Sequence, residues 1–416
     1  MLTFASLGTV ISERWARANF DEKAFPSIAA ETLAQQRIDQ HLSILELVRW
    51  YLSEHALPYQ DASTFGQPSL TVFRSRGFQI DVLFWLDSTT TIHQHGFSGA
   101  FQVLSGSSIH SQYVFDVRTR INSSFLLGDL RLQSLSQLKR GDIHPIVAGP
   151  AFVHALFHLD MPSVSLVVRT DYEREELPQY SYRPPSIALD PFTDDHVRQR
   201  RLRLLRSLAI IDPTEWKHRL IVAAQESDFE SLFYILLSTA QTQAGWDSVP
   251  QLVELARARH GNLVDQLLPV LAEQRRQDVL TNSRATICDP DLRYFLALLL
   301  NVPHRSGILS LIGESFSQDA EELLGNWLHW LVTEHGRRIH FLGIDLLCDS
   351  TEEKERVTGL LSLLLNCVAK GTSQAELLPR ALAALPDSDR SLLGDSAVAL
   401  CHHLSLPTCA LKPLLL

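Results

Sequence analysis

Cysteine is scarce: the 416-residue chain has Cys288, Cys348, Cys367, Cys401 and Cys409, none before position 288 and none in a C-x-x-C pair. That usage excludes a disulfide framework, argues against a thiolate zinc site and suits free thiols in a reducing cytoplasm. Long apolar runs are missing too. The most apolar segments, such as YFLALLLNV at 294–302, stop far short of the roughly 20 residues that span a bilayer. The opening MLTFASLGTVISERWARANF lacks the basic start, apolar stretch and small-residue cleavage site of a secretory leader, so a cytoplasmic protein is expected. Nor is there an excess of positive charge, because 37 Lys and Arg stand against 47 Asp and Glu, a net −10. No broad cationic surface for nucleic acid or an anionic membrane is expected, which leaves a small molecule or another protein as the partner.

What is present is an ordinary folding composition, 45% hydrophobic and 20% charged, which rules out intrinsic disorder. The length exceeds the usual single core, so two domains are expected. Residues 1–68 read as a helical segment: Ile38, Leu42, Leu45, Val48 and Leu52 recur at three-to-four spacing, predicting one amphipathic helix over 28–56 with one interruption allowed. From 69 to 172 the pattern becomes short β-branched or aromatic runs (LTVFRSR, FQIDVLFWL, AFQVLSG, SIHSQYVF, AFVHALF, SVSLVVR), the spacing of a barrel or sandwich. Residues 173–192 mix charge, Tyr and Pro and read as an extended connector. From 193 to 416 nearly every segment is Leu/Ala-rich and helical, an all-α domain without a fixed repeat period.

The chemistry-bearing stretch is TIHQHGFSGAF at 91–101. Side chains two apart share a strand face, so His93 and His95 project together and can chelate one ion. His154, inside GPAFVHALF, is the third candidate, reachable from an adjacent antiparallel strand. Two strand histidines alone are more often surface or hydrogen-bonded residues. The context shifts that balance: an apolar strand end (FWL), the HxH, a small-residue turn, a strand ending in LSG, and a later G-x-x-x-x-H.

This arrangement resembles the cupin superfamily, with the HxH and Gly106 matching its first motif and Gly99 and Ala100 standing where its Glu belongs. Loss of that Glu resembles cysteine dioxygenase and related thiol dioxygenases, whose iron is held by three histidines. FQIDVLFWLDSTTTIHQHGFSGAFQVLSGS and VHALFHLDMPSVSLVVR carry the likeness, within roughly residues 30–172. The resemblance implies an α+β chain: an N-terminal helix plus a cupin-type β-barrel (jelly roll), followed by the all-α helical domain. It implies His93, His95 and His154 as metal ligands and Fe(II) as cofactor; imidazole chemistry alone would equally accept zinc, nickel, copper or manganese. Where the family has a Ser-His-Tyr series this chain has Ser165, Val167 and Arg169, and Ala100 replaces the crosslinked Cys of animal members. The family's carboxylate-binding Arg falls to Arg74 or Arg76.

The function expected is therefore a mononuclear non-haem iron oxygenase, thiol dioxygenase-like, that takes dioxygen and a small-molecule or peptide substrate other than free cysteine. Arg169, Ser165 and His158 form the expected catalytic set, and Arg74, Arg76 and Arg169 the substrate-binding set. His158, four residues after His154 and so on the same strand face, is read as a support for the ligands slightly ahead of a ligand itself, with an exposed position also open. His144 is expected on an exposed turn, and His110 as a structural histidine. Glu215 with His218 lacks the second E-x-x-H of a di-iron bundle. Glu321, Glu322, His329, Glu334, His335, His340 and Asp345 scatter around a helix with Trp327 and Trp330, a solvated face beside a core stripe. Arg198, Arg200, Arg201, Arg203 and Arg206 read as a solvated or domain-docking face. The alternative is a non-catalytic cupin scaffold or sensor whose helical domain binds a protein partner or a second copy.

Overall fold

The computed structural model describes residues 2–53, 57–60, 65–86, 90–193, 195–284, 287–333, 351–385 and 387–416. It divides into two compact units, Met1–Ile235 and Leu236–Leu416.

The first unit opens with helices Leu2–Arg17, Phe25–Gln36, Ile38–His41 and Ile44–Ser53. The single helix expected over 28–56 is interrupted at Arg37, which adopts a left-handed conformation (φ 46°, ψ 46°), and Leu42 is extended. Rotation at those breaks changes which residues face inward: Leu47 is buried, whereas Leu45 and Leu52 of the expected stripe are exposed. The helix Leu2–Arg17 adds Phe4, Leu7, Ile11 and Trp15 to the core.

Among the described residues eleven strands follow: β1 (Ser69–Arg74), β2 (Phe78–Trp85), β3 (Ile92–His95), β4 (Gly99–Ser105), β5 (Ser108–Arg120), β6 (Phe125–Leu138), β7 (Ile143–Ile146), β8 (Gly149–His158), β9 (Ser163–Thr170), β10 (Ser181–Arg183) and β11 (Ile187–Leu189). They form a five-stranded sheet, β1-β2-β9-β4-β7, and a closed ring, β10-β11-β6-β5-β8-β3. The paired strands run antiparallel. The alternation of the sequence decides which side chains go where. Phe78, Ile80, Val82 and Phe84 of β2, with Val164, Leu166 and Val168 of β9, join the helices in one core. Their neighbours Gln79, Asp81, Leu83 and Trp85, with Ser165, Val167 and Arg169, line a cavity between the sheets. Both faces of this sheet are thus covered, one by helices and the other by the ring.

The segment expected as a connector, 173–192, contributes to the barrel instead. β10 pairs with β3, Ser181 opposite His93, and β11 pairs with β6. Its prolines lie at turns and strand edges, including Pro184 and Pro185 between the two strands, so its composition is that of a hairpin with a stiff turn. Helices His196–Ile211 and Pro213–Glu226 also belong to the first unit. Phe125 packs against Phe229 and Phe233, ring centroids 6.0 and 5.4 Å away, and Glu230 accepts hydrogen bonds from Asn122 and Ser124. The unit boundary therefore falls near residue 235 and not in the Pro-rich segment. Of the basic run, Arg198 pairs with Glu230 at 2.8 Å, and Arg200, Arg201, Arg203 and Arg206 are exposed. Glu215 pairs with Arg219 at 2.6 Å on the surface.

The described part of the second unit is helical, with Pro290–Asn301 as its most buried helix, Leu292 through Leu299 all enclosed. Trp327 is buried against Phe295 and Phe316, while Glu321, Glu322 and His329 face solvent. Glu334, His335, His340, Asp345 and Cys348 lie outside the described residues. Cys288, Cys367, Cys401 and Cys409 are free thiols. No described helix is long and apolar enough to cross a membrane. The chain thus forms the expected α+β architecture: N-terminal helices, a closed β-barrel and a second unit whose described residues are helical.

Candidate metal centre

Histidines from two adjacent strands meet inside the barrel. β3 and β8 pair antiparallel with His93 opposite His154, and a register shift between His93 and His95 sets His95 opposite Gly149. His93, His95 and His154 are all buried, each offers one ring nitrogen, and those atoms lie within 4.8 Å of one another. Among the described residues this is the one group of side chains arranged to hold an ion.

The donor atoms fit that role. His93 donates its Nδ1–H to the Thr91 carbonyl at 2.7 Å, which leaves a lone pair on Nε2, and that atom is buried without a hydrogen-bond partner. The Nε2 atoms of His95 and His154 face each other at 2.9 Å. Burial lowers His93 to about 4, partly opposed by its bond to Thr91. Burial and then the neighbouring His93 and Arg169 push His95 well below the usual range; His154 is lowered by burial and then by its neighbouring histidines. All three are neutral at pH 7, the form in which imidazole ligates.

The structure also explains the missing Glu. A Cβ on Gly99 would stand 1.9 Å from the Val168 carbonyl oxygen, so β4 approaches β9 too closely for any side chain there. Ala100 points into the core shared with the N-terminal helices. Neither position can supply a carboxylate ligand.

The histidines line a cavity of about 600 Å³. Its apolar walls include Trp85, Phe97, Phe101, Ile146 and Leu156. Its polar wall holds Asp81 and Arg169, whose Nε donates to Asp81 Oδ2 at 2.8 Å with both side chains largely buried. Asp81 also accepts from Thr71 at 2.7 Å and from Gln79 at 3.0 Å. Ser165 accepts from Trp85 Nε1 at 3.0 Å.

The expected site residues divide accordingly. His93, His95, His154, Ser165, Arg169 and Arg74 line the cavity. Arg74 is exposed and lies over the Tyr59 ring, 5.5 Å from its centroid. Arg76 occupies the exposed turn between β1 and β2 and does not line the cavity, because alternation along TVFRSRG stops where the strand ends. His158 does not line it either: it stacks on Trp85 with centroids 4.6 Å apart, and its Nδ1 is 2.8 Å from Ser108 Oγ.

Asp81, Trp85, His110 and His144 were missed as contributors. The signal for Asp81 was legible, since Gln79 and Asp81 are the polar residues of FQIDVLFWL and share a face. His110 is buried with Nε2 3.0 Å from His154 Nδ1, and His144, half-buried and not on an open turn, lies beside it. These pairings join strands far apart in sequence, and no local pattern announces them.

No protein-family model matches the chain, and no curated protein matches it. Solved structures do align with part of the chain. KdgF from Halomonas sp. is 15% identical with a TM-score of 0.19, over 29% of this chain and 93% of that one. A cupin superfamily protein from Desulfitobacterium hafniense is 14% identical with a TM-score of 0.18, over 27% and 94%. The DMSP lyase DddQ from Ruegeria pomeroyi is 18% identical with a TM-score of 0.21, over 32% and 63%. Likeness at that level leaves the three buried imidazoles themselves as the ground for a functional reading.

Proposed function

We propose that the unit Met1–Ile235 is a mononuclear Fe(II)-dependent oxygenase of thiol dioxygenase type, acting on a small-molecule or peptide substrate other than free cysteine. The observation that carries it is the trio His93, His95 and His154: three neutral imidazoles at a cavity, with His93 Nε2 buried and unpartnered and Gly99 leaving no room for a carboxylate ligand. Iron bound there would supply a redox-active Lewis acid with positions open to a thiolate and dioxygen. The net reaction adds both oxygen atoms to sulfur as a sulfinate, the thiolate supplying the electrons, so no further reductant is needed.

The chain's own groups bind, orient and exclude water. Trp85 donates to the Ser165 oxygen, which turns the Ser165 proton away from the indole. Phe97, Phe101, Ile146 and Leu156 shield the cavity, which strengthens polar contacts inside it. Val167 provides no hydrogen-bonding group, and Arg169 is neutralised by Asp81, so substrate meets a polar wall with no net charge. Arg74 also lines the cavity, and a guanidinium there suits a substrate carboxylate.

Elemental analysis is the first test. Wild type is expected to carry close to one equivalent of divalent metal, and His93→Ala, His95→Ala and His154→Ala to lose it, while oxygen uptake by the iron-loaded protein follows a thiol in a panel that also contains thiol-free carboxylates. Full retention in His154→Ala would remove that ligand. A folded wild type that binds no added metal would favour the scaffold reading, and uptake with thiol-free carboxylates alone would exclude sulfur chemistry.

A further inference from the structure

Each candidate ligand has a different environment behind it. The proton on His93 Nδ1 goes to a backbone carbonyl, and His95 Nδ1 is buried without a partner. His154 Nδ1 is 3.0 Å from Nε2 of another side chain, His110, and that is the one ligand whose backing can be altered by substitution. Ligation through His154 Nε2 requires the proton on Nδ1. Its donation to His110 then requires a lone pair on His110 Nε2.

The His110 ring is itself held. β5 pairs with β8, with His110 opposite Leu156 and Gln112 opposite His154, so the two histidines stand on neighbouring strands two residues out of step. His110 is 1% exposed. The His144 ring meets it edge-on at 4.9 Å and 76°, the Phe101 ring at 6.0 Å and 86°, and Phe101 and His144 stack on each other at 5.4 Å and 20°. This aromatic corner leaves the His110 ring little freedom to turn away. His110 does not line the cavity, so it touches neither substrate nor the ion.

We propose that His110 is a positioning residue for the metal centre: through its Nε2 it accepts the Nδ1–H of His154, fixing the tautomer and ring plane of that ligand, with His144 and Phe101 clamping it from behind. The proposal rests on the metal reading above. Imidazole ligands generally donate their second N–H to a fixed acceptor, and loss of the acceptor costs on the order of 10–100-fold in metal affinity. A neutral imidazole is an unusual acceptor for this purpose, because it can serve only as the Nδ1–H tautomer.

The test compares His110→Phe, which keeps an aromatic ring but no acceptor, with His110→Gln, whose Oε1 can reach the same place. Affinity for cobalt(II) is measured by competition with a chelator, together with the visible absorption of the bound ion and the melting temperature of each metal-free protein. His110→Phe is expected to weaken cobalt binding on the order of 10–100-fold and shift the absorption, with the metal-free protein still melting cooperatively. His110→Gln should restore affinity to within a few-fold of wild type. Equal losses in both variants would assign His110 to packing alone and overturn the proposal, as would unchanged affinity and spectrum in His110→Phe when His154→Ala abolishes binding. A wild type that binds no cobalt would overturn the metal reading and this proposal with it.

Discussion

Asp81 and Arg169 show how a single partner changes what a residue can do. On sequence grounds Arg169 is a permanent cation facing the substrate; in the fold it is half of a buried pair whose carboxylate also accepts from Thr71 and Gln79. Removing the arginine would leave Asp81 enclosed and uncompensated, a loss of about 3–5 kcal/mol. Urea unfolding of Arg169→Ala should show that loss, and the neutral hydrogen-bonding pair Arg169→Gln with Asp81→Asn should recover more than half of it; a drop of under about 1 kcal/mol, the size of an exposed pair, would mean that the pair is solvated. The buried imidazoles predict a pH dependence of the same kind. His93 is lowered to about 4 and His110 to about 3, both mainly by burial. Above the ordinary value of about 6.5 neither the folded nor the unfolded chain protonates them. Below it the unfolded chain takes up protons that the folded chain refuses, so stability falls by about 1.4 kcal/mol per pH unit for each such histidine, levelling off only as the lowered values are passed. Unfolding of the metal-free protein between pH 7.5 and 5 should show this onset, and a flat profile would mean that these rings are reachable by water.

β3 is the element on which the site depends, and the segment 177–183 holds it in place. Gln94, between the two ligands, donates its backbone N–H to the Tyr180 carbonyl and its side-chain amide to the Pro178 carbonyl, and accepts from the Tyr182 hydroxyl. Tyr182→Phe would strand the buried Gln94 oxygen at a cost of about 1–3 kcal/mol, and because both ligands flank Gln94, metal affinity should fall with it. Retained stability and affinity, read by thermal melts and metal titration, would show that β10 is ornamental to the site. This strap also marks the limit of what periodicity reveals. The alternation along β2, β4 and β9 was legible because both faces of those strands are set by burial, and the grouping of His93, His95 and His154 was legible because strand spacing sets the first two on one face and an adjacent antiparallel strand carries the third. β10 and β11 span Ser181–Arg183 and Ile187–Leu189, too short for a period to register, and they sit among prolines. What makes them strands is pairing with β3 and β6, a tertiary cause absent from the local sequence.

The same non-local logic decides where the first unit ends. A chain that stops folding at its proline-rich segment would leave the ring strands self-sufficient, yet Phe125, at the start of β6, is 0% exposed because Phe229 and Phe233 cover it. Glu230 adds polar anchorage: it accepts from Asn122 at 2.8 Å and Ser124 at 3.1 Å and pairs with Arg198. β6 pairs with β11, which shares a hairpin with β10, and β10 pairs with β3, so the Phe125 corner is joined through the ring to the strand that carries His93 and His95. Uncovering one fully buried Phe costs about 1.5–3 kcal/mol, and the bonds to Glu230 add about 0.5–1.5 kcal/mol each. Those amounts are a large share of the about 5–15 kcal/mol that holds a typical domain together. A fragment ending at residue 192 should therefore be markedly less stable than one ending at 239, the end of the helix Phe229–Thr239, and should bind metal more weakly even where it stays soluble. Phe125→Ala in the full chain, which removes the side chain and leaves a cavity, should cost about 3–5 kcal/mol. Melting and metal titration of the two fragments side by side decide the matter: equal values would return the boundary to the proline-rich segment and leave the barrel independent of the helices that follow it.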